Sequence, residues 1–320
     1  MMGLLKLRVY MFGTLAVLIG LSTLFFTVLL MLVGGEILLM PFFVVAFNLL
    51  QWLIAPYMIN AMYGVREVSS REEPELHRMV QRLSMASGIK KPKVMVSSLP
   101  IPNAFAYGSP LGGNRVAVTV GLMDKLESEE VEAVLAHELG HLKHRDVQIM
   151  MFVSVLPALF YYIGYSFMMS SYYYRGRSRE GNGSLAVLIG MVSMALYFVV
   201  TLFTLGLSRL REYYADSHAS RVVEDGPRKL SEALAKIAYS TGRMRRQNLG
   251  ASGSFKTLFI SDPERAPQDA VELAQAGAFR TDQELVRNVM ARQLTWSDRL
   301  VELFSTHPNI VKRIRALHGY

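Results

Sequence analysis

Four long apolar segments restrict the folds open to this chain. They cover residues 9–33, 37–63, 147–170 and 184–207. At 1.5 Å per helical residue, each segment is long enough to cross a hydrocarbon layer of about 30 Å. Hydrophobic residues make up 51% of the chain, so much of the apolar surface must face lipid rather than a protein core. We therefore predict a multi-pass membrane protein with four transmembrane helices.

The spacing of these segments predicts two hairpins. Only residues 34–36 separate the first two segments, so the chain returns to the side on which it started. Both polar regions and the N-terminus then share one side, and the Lys and Arg residues concentrated there predict that it is cytoplasmic. Arg175, Arg177 and Arg179, between the last two segments, oppose this assignment. The predicted organisation is a hairpin at 1–63, a polar region at 64–146, a second hairpin at 147–207 and a second polar region at 208–320.

Charge and cysteine content exclude several classes of protein. The net charge is +8, but the basic residues form no long run and no pattern interleaved with aromatics, which argues against nucleic acid as a partner. Basic residues that flank membrane spans beside anionic lipid headgroups explain the charge better. The chain has no cysteine. Any transition metal must therefore be held by histidine and carboxylate side chains.

The two polar regions have an α+β pattern. Residues 93–98 and 116–120 have the composition of short strands, and helical spacing is found at 75–87, 128–145, 227–239 and 309–317. Ser128 is the predicted N-cap of the helix 128–145, because acidic residues follow it in the first turn. The pattern of residues 252–295 does not predict a structure.

The helix predicted at 128–145 contains the sequence His-Glu-Leu-Gly-His at residues 137–141. Residues four apart lie on one face of a helix, so His137 and His141 can bind the same ion. Glu138 is rotated by about 100° from His137, beside the position where a water molecule would bind. A catalytic zinc site needs three protein ligands and a water, whose proton a nearby carboxylate can accept. We therefore predict a zinc site with Glu138 as the base.

The third zinc ligand must come from another part of the chain. Glu212 is the best candidate, since a hairpin of two spans brings residues 141 and 212 to the same side of the membrane. Asp216 lies one helical turn further on and can accept a hydrogen bond from a ligand imidazole. His141 lies six positions before the start of the third span, and Glu212 lies five positions after the end of the fourth. These spacers correspond to about 10 Å or less, so the metal is predicted to lie close to the bilayer.

Together with the zinc motif, several short sequences resemble those of the HtpX family of membrane gluzincin proteases. They are residues 102–108 (Pro-Asn-Ala-Phe-Ala-Tyr-Gly), Gly121-Leu122, residues 209–216 and Thr306-His307-Pro308. The resemblance covers most of the chain in the same order. It implies a mainly helical, zincin-like protease domain with a small β-sheet and one Zn²⁺ per chain. It also implies an ATP-independent endopeptidase of membrane-protein quality control and stress response, which cuts cytoplasmic parts of misfolded membrane proteins.

The resemblance also suggests roles for residues outside the zinc motif. His307 either polarises the scissile carbonyl, as a second histidine does in related gluzincins, or caps the following helix. Arg209 and Arg211 are candidates for positions beside the ligands, Arg211 as a group that orients a ligand or binds the oxyanion. Residues 103–108 are expected to form an edge strand on which an extended substrate pairs through Asn103, Ala104, Phe105 and Ala106.

Two other functions remain open. The first is a non-proteolytic membrane scaffold or chaperone that keeps zinc for structure alone. CAAX-prenyl endopeptidases share the motif pattern but have more spans than the four predicted here. A carrier or channel is disfavoured, because the spans contain almost no ionisable residue.

Overall fold

A computed structural model describes Phe25 and residues 39–173, 182–243 and 281–319. The predicted first span at 9–33, apart from Phe25, lies outside these residues, as do Arg175, Arg177, Arg179 and most of 252–295. The described residues divide into two compact units. We call one the sheet unit, made from Leu53–Val147 and the described part of Ser208–Tyr320. The other is the span unit, made from the described parts of Arg8–Trp52 and Gln148–Leu207.

Most of the described elements are helices, and four short strands form a small sheet. The described elements are α1 (Leu39–Met62), β1 (Val65–Glu67), α2 (Pro74–Ser87), β2 (Lys93–Ser97), β3 (Ala104–Ser109), β4 (Gly113–Thr119), α3 (Val120–Lys125), α4 (Ser128–Lys143), α5 (Asp146–Tyr173), α6 (Asn182–Val222), α7 (Gly226–Arg243), α8 (Asp282–Ala291), α9 (Trp296–Leu303) and α10 (Ile310–Leu317).

Three helices among the described residues are long and apolar enough to cross a membrane. The qualifying stretches are Val45–Met62 in α1, Asp146–Met169 in α5 and Ser184–Val222 in α6. They correspond to the second, third and fourth predicted spans. Helix α6 does not end at residue 207, where the apolar segment ends, but continues to Val222. The reason is local, since residues 207–222 contain neither Gly nor Pro to stop the helix.

The sheet of the sheet unit has four strands in the order β1-β2-β4-β3. Strands β2 and β4 are parallel, whereas β1 and β3 pair antiparallel at the two sides. The strands predicted at 93–98 and 116–120 are β2 and β4, and the edge strand predicted at 103–108 is β3. Phe105 and Tyr107 pack on one face of the sheet with Ile59 and Tyr63, at the end of α1.

Helix α4 lies at the centre of the sheet unit. It packs against β3, α2 and α7, and its buried side chains belong to the largest core cluster, as do Ala104 of β3 and Ile314 of α10. Residues 136–140 are all buried. The zinc motif is therefore held inside the protein by packing rather than displayed on a mobile surface turn.

The N-terminus of α4 corrects one prediction. The N-cap is Glu127, not Ser128, and its backbone N–H donates to Oε2 of Glu130 at 2.8 Å in a capping box. The Ser128 hydroxyl instead donates to the carboxylate of Glu75 on α2. The tertiary contact with α2 takes the hydroxyl away from the capping role that its position in the sequence suggests.

In the span unit, α5 and α6 approach closely at two glycines. A Cβ added at Gly190 would lie 2.8 Å from Cγ of Met168, and one added at Gly164 would lie 3.2 Å from the carbonyl oxygen of Gly190. Small residues at such crossings let helix backbones pack tightly where lipid supplies no hydrophobic driving force.

Candidate metal centre

Three side chains converge on one point in the sheet unit. Nε2 of His137 and Nε2 of His141 are 3.2 Å apart. The carboxylate of Glu212 on α6 lies 3.6 Å from the first of these atoms and 3.4 Å from the second. Tetrahedral zinc with bonds of about 2.0–2.1 Å requires its ligand atoms to be about 3.3 Å apart. The predicted ligands are therefore spaced as one zinc ion requires.

Gly140 brings the two ligand-bearing helices together. A Cβ added at this position would lie 3.2 Å from both Cα of Ala215 and Cβ of His218 on α6. A side chain here would require these neighbours to shift by a few tenths of an ångström. The glycine inside the zinc motif thus lets α6 come close enough for Glu212 to reach the two histidines.

Each imidazole of the two predicted ligands also faces a carboxylate through its other nitrogen. Nδ1 of His137 is 2.9 Å from Oδ1 of Asp216, as predicted. Nδ1 of His141 is 2.7 Å from Oδ2 of Asp146, the first residue of α5, which the sequence had not suggested. A carboxylate at Nδ1 holds the ring in the tautomer whose Nε2 lone pair is available to a metal.

Two buried arginines complete the cluster. Arg313 of α10, only 1% exposed, binds Asp216 through Nη2 at 2.7 Å and through Nε at 3.0 Å. Its Nη1 lies 3.0 Å from Oε2 of Glu212. Arg211 pairs with Asp146 and donates to the carbonyl oxygen of His144 at 2.9 Å. Each arginine thus contacts a carboxylate that faces a ligand histidine.

The formal charges within this cluster suit a divalent cation. It contains four carboxylates, Glu138, Asp146, Glu212 and Asp216, but only two arginines. With the histidines neutral, as metal binding requires, two negative charges are formally unmatched. Buried carboxylates require neutralising partners, and a zinc ion supplies two positive charges at the point where the ligand atoms meet.

Glu138 is buried and oriented by the edge strand. Its Oε2 accepts a hydrogen bond from the backbone N–H of Ala106 at 2.8 Å. Burial raises the pKa of the Glu138 carboxyl, although the neighbouring histidines and this hydrogen bond oppose the shift. Burial alone would lower the pKa of His137, but Asp216 and Glu212 outweigh it and raise that pKa. A carboxyl with a raised pKa is a stronger proton acceptor, as general-base catalysis requires.

His307 lies beside a ligand, and Arg209 lies elsewhere. Nδ1 of His307 is 3.3 Å from Oε2 of Glu212. The alternative prediction, that His307 caps the next helix, is wrong, because Asn309 is the N-cap of α10 and its Oδ1 accepts from Val311 N–H at 2.9 Å. Arg209 donates from Nη1 to backbone carbonyls at the C-terminal end of α9.

The residues proposed to bind substrate are mostly buried. Asn103, Ala104 and Phe105 are each 3% exposed or less, whereas Ala106 is half-buried. Any contact between this segment and a substrate must therefore use backbone groups rather than these side chains. A charged side chain at Ala104 would disrupt the core instead of testing substrate binding.

Sequence reasoning missed Asp146 and Arg313, and only one of them left a signal. Arg145 has a positive φ of 56°, which ends α4 and turns Asp146 back toward His141. Periodicity does not reveal such a break. Arg313, by contrast, lies beside Ile310 and Ile314 on the apolar side of α10, and a charged residue at the margin of an apolar face indicates a buried partner.

Known proteins resemble this chain over most of its length. The profile of Peptidase family M48 matches residues 70–320. A protease HtpX homolog of Thermoplasma acidophilum is 36% identical over 288 residues, which cover 87% of this chain and 84% of that protein. One from Aeropyrum pernix is 39% identical over 286 residues, covering 88% and 86%. The resemblance to the HtpX family is thus confirmed.

A solved structure has a related fold. The crystal structure of S. mikatae Ste24p aligns with a TM-score of 0.52 and 17% identity, over 98% of this chain and 67% of that one. At this identity the likeness concerns the fold alone.

Proposed function

The chain belongs to Peptidase family M48, and on this premise we propose that it is a zinc-dependent endopeptidase anchored in a membrane. The main support is the spacing of the three ligand groups, His137, His141 and Glu212, whose atoms lie 3.2–3.6 Å apart. Glu138 is buried beside them and has its carboxylate directed by the edge strand. Three side chains that can bind one metal ion, together with an oriented base, fit peptide hydrolysis.

In this proposal the chain's residues divide the catalytic work. His137, His141 and Glu212 would hold the zinc, which when bound polarises a peptide carbonyl and acidifies a water molecule. Glu138 accepts a proton from the attacking water on its free carboxylate oxygen and passes it to the leaving amine. Nδ1 of His307 lies 3.3 Å from Oε2 of Glu212, and a hydrogen bond donated by this ring would stabilise the developing oxyanion.

The surrounding residues keep the ligands in place. Asp216 and Asp146 orient the two imidazoles, and Arg313 and Arg211 in turn fix those carboxylates. Arg313 also holds Glu212 directly. A preorganised site of this kind needs little rearrangement when the metal binds or when charge develops during the reaction.

We further propose that substrate pairs with the outer edge of β3. The Asn103 carbonyl accepts from Thr119 N–H at 3.0 Å, so alternate residues from Asn103 onward direct their backbone groups toward β4. Ala104 and Ala106 then direct theirs to the outer edge, and the Ala106 N–H reaches Glu138. An extended peptide added at this edge would run past the catalytic carboxylate.

Substrate peptides with single N-methylated amides test this pairing. Each peptide carries one methyl group. At every second amide position around the scissile bond, we expect this group to raise KM about fivefold, since each lost backbone hydrogen bond costs about 1 kcal/mol. The amides between them should tolerate methylation and serve as internal controls. A uniform effect, or none, in steady-state cleavage assays would contradict pairing on β3.

The membrane anchor suggests which proteins are cut. We propose that the substrates are membrane proteins, that the sheet unit and both termini are cytoplasmic as the positive-inside rule suggests, and that the activity serves quality control under stress. Segments that emerge from the bilayer would meet a membrane-anchored site before freely diffusing proteins do.

The basic test is zinc-dependent proteolysis by the full-length protein. In detergent, purified protein is expected to hydrolyse casein, to lose this activity after chelation and to recover it when zinc is added back. Hydrolysis that persists in the chelated protein would contradict the metal mechanism. A zinc-replete protein that is stable but cuts nothing would instead support the scaffold or chaperone alternative.

A further inference from the structure

Helix α9 has its apolar side turned outward. Trp296 is 74% exposed, and Leu300, Val301 and Leu303 are all exposed as well. At roughly 100° per residue, these four side chains lie within an arc of about 160°, which they share with Ser297. In a soluble protein such an arc faces the core. Here it is directed away from the rest of the sheet unit.

The polar side of α9 faces the protein. Asp298 accepts from Thr295 N–H at 3.0 Å and lies 3.3 Å from Nη2 of Arg292. Glu302 is buried, pairs with Lys312 and accepts from the backbone N–H of Asn309 at 3.3 Å. Both acidic side chains of the helix are thus bound to groups of the sheet unit, and neither is part of the outward arc.

Arg209 fixes the position of α9 along α6. Residues 182–208 contain no charged side chain, so Arg209 is the first charged residue after the apolar part of α6. Its Nη1 donates to the carbonyls of Glu302, Leu303 and Ser305 at 2.9, 3.1 and 2.7 Å. Arginines at this point of a membrane helix lie at the headgroup level. The C-terminal end of α9 is therefore bound to the first charged residue that follows the apolar part of α6.

We propose that α9 docks on the membrane–water interface, with Trp296, Leu300, Val301 and Leu303 inserted among the lipid headgroups. Tryptophan and large aliphatic residues favour this layer, whose amphipathic character matches a helix with one apolar side. The contact is separate from the metal site and requires no catalytic role of any residue. Because α9 leads directly into the segment with His307, it would also hold that segment near the bilayer surface.

Fluorescence quenching by brominated lipids tests this docking. The chain has two tryptophans, so Trp52→Phe leaves Trp296 as the only one, and Trp52→Tyr serves if the first variant does not fold. In nanodiscs with one protein each, we expect bromines near the headgroups to remove about half or more of the Trp296 fluorescence. Bromines near the bilayer centre should remove less.

A charged variant supplies the control for the lipid contact. Adding Leu300→Glu and Leu303→Glu in the same background should largely abolish the quenching, while the Tm in detergent stays that of the parent. Fluorescence of Trp296 that brominated lipids leave unchanged would overturn the proposal. A blue shift of the Trp296 emission that occurs only when a nanodisc holds two proteins would also overturn it. That result would mean that a second copy of the chain, rather than lipid, covers the apolar side of α9.

Discussion

Glu138→Gln is expected to leave zinc bound and to reduce cleavage by about 10²–10⁴-fold. The amide keeps the size of the side chain and can still accept the hydrogen bond from Ala106 N–H, which is 2.8 Å long in the parent. It cannot take a proton from water. The three proposed ligands, His137, His141 and Glu212, are untouched, so the metal content should not change.

Two measurements on the same samples check this prediction. Elemental analysis gives zinc per chain, and hydrolysis of labelled casein gives the rate. Glu132→Gln is the matched control, because this residue lies on the same helix but forms a surface pair with Arg82. Turnover near that of the parent in zinc-replete Glu138→Gln protein would exclude Glu138 as the base.

Arg313→Ala is expected to destabilise the metal-free protein by about 3–5 kcal/mol. The change leaves Asp216 and Glu212 buried without the cation that now lies 2.7–3.0 Å from their oxygens. Zinc should restore part of the loss, because it neutralises Glu212 directly. Arg313→Lys should have an intermediate effect, since an ammonium group keeps the charge but cannot form the two-pronged contact with Asp216.

Thermal unfolding in detergent, with chelator and with zinc, measures this effect. A loss of this size corresponds to a fall in Tm of roughly 10 °C in chelator. Arg287→Ala is the control, because Arg287 is an exposed residue on α8, where substitutions change stability by about 0.5 kcal/mol or less. An unchanged Tm for chelated Arg313→Ala would show that the arginine does not stabilise the two carboxylates.

The candidate metal centre illustrates what a single sequence can predict. The positions of His137, Glu138 and His141 follow from helical periodicity, which depends only on local geometry. Glu212 follows from topology, because two predicted spans must return the chain to the same side. Both inferences use constraints that a linear sequence contains: the pitch of a helix and the thickness of a bilayer.

The remaining contacts depend on tertiary packing that no local pattern encodes. Asp146 contacts His141 just after Arg145, which adopts a positive φ. Arg313 meets Asp216 across 97 positions in the sequence, and Ser128 loses its predicted capping role to a contact with α2. The burial of Asn103 to Phe105 depends likewise on which elements cover β3. In each case a local preference yields to a partner that is distant in sequence.

Helix α6 has a practical consequence for work with this protein. Its 41 residues form one uninterrupted helix, about 60 Å long, which carries both the apolar stretch and the side chains of Glu212 and Asp216. Among the described residues, no linker separates the apolar stretch of α6 from Glu212, so a cut between them would fall inside a helix. Deleting the apolar stretches of α5 and α6 would remove the connection between α4, which carries His137 and His141, and the part of α6 that carries Glu212. A water-soluble form would need a designed hairpin in their place, and this hairpin would have to keep the present distance between residues 146 and 208.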